Sequence, residues 1–179
     1  LPSVPSCPLE TDNLTVSANI SGSIQEVILS VNLDGDWDNI TFQTNSPGIY
    51  LYTIDSLELV GNSDVEWQFI VEDILGDITL SDLISQHINA RSILMVNPEV
   101  PDGQNNWYIT EPEFELENPD ADNINYQWDS QEINIFDGQP FGLENAPNNA
   151  NITGGILELN YWANFSCGVE PVQTFLVKL

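Results

Sequence analysis

The sequence predicts an all-β chain of two β-sandwich domains in tandem, on three observations. Apolar and polar residues alternate with period two through most of the chain. The alternating runs are short, and turn-forming residues separate them. The length of 179 residues has room for two small domains.

The elements follow in order. Residues 1–12 carry prolines at 2, 5 and 8 and lack the alternation of a strand, so they read as an N-terminal tail. The first domain is expected over residues 13–97. Leu14, Val16, Ala18 and Ile20 point to one face, with Asn13, Thr15, Ser17 and Asn19 on the other. Val27, Leu29, Val31 and Leu33 repeat the pattern, and Asp34-Gly35 reads as a hairpin turn into Ile40 and Phe42. Tyr50, Tyr52 and Ile54 mark a further strand, and Val65, Trp67, Phe69 and Val71 the next. Gly76-Asp77 turns the chain into Ile78–Leu80. Leu83, Ile84, His87 and Ile88 fit one or two helical turns, and residues 92–96 a last strand.

The Pro- and Asp-rich stretch at 97–103 is the expected boundary, which gives a second domain over residues 98–179. There Phe114 and Leu116, then Ile124, Tyr126 and Trp128, then Ile133 and Ile135 alternate. Leu157 to Phe165 form the clearest strand, and residues 173–179 close the chain.

Composition excludes several functions. There are 28 acidic residues against two basic ones, Arg91 and Lys178, for a net charge of −26. Such a chain is repelled by nucleic-acid phosphates and anionic lipid, so neither is an expected partner. No run of 18 apolar residues is present, so no membrane insertion of this segment is expected. A hydrophobic fraction of 41% suffices for a packed core and argues against a disordered acidic chain. Leu rather than Met at position 1 reads as a processed chain or an excised fragment.

No catalytic constellation stands out, and the chain is expected not to be an enzyme. One His and two distant Cys give no zinc spacing. A nucleophile elbow, a phosphate-binding loop and a dinucleotide glycine pattern are all missing. Asp34, Asp36 and Asp38 offer three hard oxygens at alternate positions, a candidate calcium site and the one cofactor the sequence suggests. They do not form an EF-hand, because Asn39 and Asn45 stand where that loop needs Gly and Glu; an acidic hairpin tip is the plainer reading. Trp107, Trp128 and Trp162 are candidates for an aromatic sugar platform, against a plainer reading as core or packing residues.

Two modifications are expected. Asn13, Asn19, Asn39, Asn151 and Asn164 each open an Asn-x-Ser/Thr sequon. Four fall on the polar phase of a strand and Asn151 in a loop, so N-linked glycans are expected partners. Cys7 and Cys167 form an even pair, which favours a disulfide in an oxidising compartment. An intrachain bond requires the two domains to fold against each other, because the six residues from Cys7 to Asn13 reach only roughly 20 Å. A bond to a neighbouring chain requires only a neighbour, and reach favours it.

Residues 101–179 resemble the immunoglobulin-like β-sandwich repeats of prokaryotic, especially archaeal, cell-surface proteins. The matching pieces are Pro101-Asp102-Gly103 with Asn106-Trp107-Tyr108, then Tyr126-Gln127-Trp128-Asp129, then the closing run from Gly154 through Glu170-Pro171 and Thr174 to Leu179. The first half is similar to an immunoglobulin-like or fibronectin-like module. Cys167 departs from the repeat pattern. The resemblance implies two such domains in an extracellular, cell-surface setting, and a structural role in a surface layer, appendage or filament. Expected partners are copies of the same chain or neighbouring surface proteins; residues 1–12, apolar at Leu1, Val4 and Leu9 and without strand alternation, are expected to make the joint between copies head to tail. An adhesin or carbohydrate-binding module is the second reading, and an accessory domain of an extracellular hydrolase the third.

Overall fold

The computed structural model describes residues 7–43, 46–147 and 155–179. The chain is all-β and divides into two compact units, residues 1–90 and 91–179. Among the described residues each unit is a β-sandwich of a two-stranded and a five-stranded sheet.

In the first unit, β1 (Leu14–Ile20) pairs antiparallel with β4 (Gly48–Ile54). The facing sheet runs β3 (Asp36–Thr41), β2 (Ile24–Leu33), β5 (Ser63–Asp73), with β6 (Ile78–Leu80) and β7 (Ile84–Ile88) both on the far edge of β5. Period-two alternation drives this arrangement. Leu14 and Val16 from one sheet bury against Val27, Leu29, Val31, Val65, Trp67 and Phe69 from the other. Asp34-Gly35 forms the two-residue turn between β2 and β3, with φ of 52° and 91°. Both values are positive, the backbone that a twist-matched hairpin requires and that Gly adopts at no steric cost.

The second unit repeats the plan with β8 (Ile93–Asn97) paired to β9 (Glu113–Glu117). Its larger sheet runs β11 (Asn134–Ile135), β10 (Asn123–Trp128), β12 (Ile156–Phe165), and then β13 (Gly168–Val169) and β14 (Gln173–Lys178) on β12. Aromatic residues fill its core: Phe114 meets Trp128 edge-on at 5.3 Å, and Tyr126 stacks on Phe141 at 4.1 Å.

Three sequence expectations need correction. Residues 84–88 form a strand, because their backbone completes the ladder of β5, from Trp67↔Ile84 to Ser63↔Ile88. The unit boundary falls at 90/91 and not at 97/98. The strand at 93–97 pairs with Glu113–Glu117 and so opens the second unit; the Pro-rich run after it is a loop inside that unit. Composition marks a loop, but it cannot say which domain owns it. Finally, residues 7–12 are not a free tail. Leu9 is buried and forms a parallel bridge with Asn89, while Glu10 accepts a hydrogen bond from the Gly61 amide at 3.1 Å.

Candidate functional site

The structure separates the predicted sites. Asn13, Asn19 and Asn39 are exposed. Asn13 Oδ1 accepts from the Ser56 amide at 2.9 Å. Asn164, on β12, is half-buried, and its Nδ2 donates to Asn123 Oδ1 at 2.8 Å. A glycan on that nitrogen must displace this bond. Asn151 lies outside the described residues. Asp34, Asp36 and Asp38 are exposed on the β2–β3 hairpin. Among the described residues no three His, Cys, Asp or Glu side chains gather as metal ligands. Asp38 instead accepts its neighbour's amide, Asn39 N, at 2.8 Å.

Cys7 and Cys167 are both disulfide-bonded. They are the only cysteines, so the bond is intrachain, contrary to the reach argument. Trp128 is fully buried, so Trp107, Trp128 and Trp162 do not make one exposed platform.

The most elaborate polar cluster is one that sequence reasoning passed over. Glu170 follows β13 and is only 2% exposed. Its Oε1 accepts from the Ser92 amide at 3.0 Å and from Gln173 Nε2 at 2.6 Å. Its Oε2 accepts from Ser92 Oγ at 2.6 Å and from the Ala163 amide at 3.0 Å. Arg91 Nε lies 3.9 Å from Oε1. Ser92 is held again by Gln173 Nε2, which donates to its carbonyl at 3.0 Å, and by Asn118 Nδ2, which donates to its hydroxyl at 3.3 Å.

A buried carboxylate is costly unless donors surround it. Here four donors converge on two oxygens, which leaves little capacity for a substrate. The cluster is chemically a clamp. It fastens the residue just before β8 to β12 and to the β13–β14 turn. The only signal for it in the sequence is the Glu170-Pro171…Thr174 segment, where a carboxylate sits between strands and not on a polar phase.

A second motif carboxylate, Asp102, works on the surface of the same unit. It accepts from Thr110 Oγ1 at 2.6 Å, from Ile109 N at 2.7 Å and from Thr110 N. The Thr110 hydroxyl foremost, and then the Ile109 amide, hold its pKa at about 2.

No protein-family model and no curated protein matches the chain. Solved structures to which the chain shows some likeness include part of a 1.5-MDa bacterial ice-binding adhesin retained on host cell surfaces. It is 10% identical with a TM-score of 0.36, over 94% of this chain and 57% of that one. A tetra-tandem repeat from the extending region of a large adhesion protein is 15% identical with a TM-score of 0.38, over 99% and 48%. The fibronectin(III)-like modules of Clostridium thermocellum CbhA are 7% identical with a TM-score of 0.37, over 98% and 90%. The chain thus spans about half the length of the first two. At TM-scores below 0.5 these likenesses carry no weight for fold or function.

Proposed function

We propose that this chain is a non-enzymatic extracellular structural protein, a subunit or repeat of a prokaryotic, in particular archaeal, surface layer, appendage or filament. The Glu170 clamp carries the reading. The clamp fixes Ser92, at the start of the second unit, to β12 and the β13–β14 turn through four hydrogen bonds on one carboxylate. Such a device suits a module that spaces or anchors. The disulfide suits an oxidising exterior. The exposed sequons at Asn13, Asn19 and Asn39 suit a glycosylated surface. Neighbouring copies join head to tail, a heterologous contact that propagates unless it closes a ring. With both cysteines consumed inside one chain, that joint is non-covalent. Subunits of charge −26 pack only with counter-ions between them.

The test is assembly of the glycosylated chain with and without divalent cations, followed by light scattering and electron microscopy. Cation-dependent rods or sheets are expected, dissolving to monomer on a non-reducing gel. A chain that stays monomeric at every cation concentration rejects the reading. Specific retention on a glycan array without assembly favours the adhesin instead.

A further inference from the structure

The sandwich of the first unit is closed on one side and open on another. Among the described residues β4 is the only partner of β1, and none of them pairs with its other edge. A groove of about 430 Å³ lies at the Ala18–Ile20 end of β1 and the turn that follows it. Its floor is apolar, with Ala18 and Ile20 from β1 and Phe69 and Val71 from β5. Of these four, Ile20 and Phe69 are buried in the core, while Ala18 and Val71 are half-buried. Two acidic residues, Asp73 and Asp77, also line it; Asp73 Oδ1 accepts from the Leu75 and Asp77 amides.

We propose that this groove is a docking site for an extended, cationic β-strand donated by a different polypeptide. A free edge beside an apolar trough is what strand addition uses: backbone bonds to β1 supply affinity, and alternate side chains fill the floor. Charge selects the donor. Residues 1–90 hold 14 Asp and Glu and neither Lys nor Arg. A strand from another copy of this unit therefore brings only negative charge to Asp73 and Asp77. The chain's two cations, Arg91 beside Glu170 and Lys178 on β14, sit on segments already built into the second unit. The N-terminal segment is a poor filler by sequence, because prolines at 2, 5 and 8 fall on both parities of a strand and remove ladder donors from each side. This surface is distinct from the Glu170 clamp and does not depend on head-to-tail assembly.

The experiment uses the full chain and three synthetic nonapeptides: alternating Val and Thr flanked by Lys, the same flanked by Glu, and the Lys version with Pro at two alternate positions. Hydrogen exchange and calorimetry are read together. The Lys peptide is expected to slow exchange at alternate β1 amides, those not bonded to β4, by at least about ten-fold. The Glu and Pro peptides should bind roughly ten-fold more weakly or not at all. Asp77→Asn should weaken the Lys peptide several-fold with an unchanged melting temperature, and Ala18→Trp should block it. If Ala18→Trp does not fold, the Asp77→Asn and peptide comparisons still decide. Equal binding of Lys and Glu peptides overturns the proposal, as does the lack of protection on β1. Protection of those amides in the peptide-free monomer, or only on self-association, also overturns it, because the occupant is then this chain itself.

Discussion

The two units contain the same number of acidic residues, 14 each, and solve the burial problem in opposite ways. The first has no Lys or Arg, buries no carboxylate, and leaves the edge of β1 unpaired among the described residues. The second holds both cations, a more aromatic core and a fully desolvated Glu170. Alternation alone is enough to build a sandwich, as the first unit shows. An internal charge adds position: it fixes one residue, Ser92, against three others. The first unit should therefore weaken by degrees when it is altered, and the second should fail sharply at one point.

The sharpest way to break this contrast is Glu170→Ala. The substitution strands the Ser92 and Ala163 amides, takes the acceptor from the Ser92 hydroxyl, and leaves Gln173 Nε2 with the Ser92 carbonyl alone. A loss of about 3–5 kcal/mol from the second unit is expected, with the first unaffected. Chemical denaturation monitored separately in each unit measures it. A loss shared equally between units, or below about 1 kcal/mol, removes the clamp from the account.

Next in size is the disulfide. Replacing Cys7 and Cys167 together by Ser should cost about 2–4 kcal/mol, since the bond closes a loop of nearly the whole chain. The comparison is of unfolding midpoints for this variant and the oxidised wild type. An unchanged midpoint would show that the bond constrains nothing the fold needs.

Gly61→Ala tests whether residues 7–12 belong to the first unit. A Cβ at Gly61 falls 2.6 Å from the Ala90 Cα and against the Glu10 carboxylate. Backbone cannot yield cheaply, so a cost of about 1–3 kcal/mol is expected, with faster amide exchange at Glu10 and Asn89. A neutral substitution would return these residues to the status of a loose tail.

The contrast also explains what the sequence made legible. Strands whose outer face meets water declared themselves, as Val65 to Val71 and Leu157 to Phe165 did, because the solvent imposes period two. The Asp34-Gly35 turn was readable because positive φ selects its residues. Residues 84–88 misled, since Leu83, Ile84, His87 and Ile88 match helical spacing locally while the free edge of β5 imposes extended backbone. The boundary misled because Pro and Gly mark any loop, whereas the strand at 93–97 is assigned by a partner 20 residues later. Glu170 was invisible to patterning for a related reason. Its donors come from positions 92, 163 and 173, and no local window contains them. The groove at the end of β1 was equally hidden, because which strands neighbour β1 among the described residues is a property of topology.

The smallest effect expected is a surface counterpart to Glu170, and it concerns pH. Asp102 has a pKa of about 2, below its ordinary 3.8, because the Thr110 hydroxyl and the Ile109 amide bond to its charged form. A carboxylate whose folded pKa is depressed contributes stability that is complete above the unfolded value. That contribution fades as pH falls from about 4 and is gone once pH passes through the folded value near 2. Because the side chain is open to solvent, salt screens the charged part of the interaction and the contribution is modest. Carbon-detected titration of the Asp102 carboxyl should give a midpoint near 2, and Thr110→Val should move it upward by removing the foremost donor. Glu170→Gln should leave that midpoint in place, since the two carboxylates share no donor. A midpoint near the ordinary value in the wild type would show that the Asp102 turn is not held as described, and would leave Glu170 as the sole motif carboxylate with a structural task.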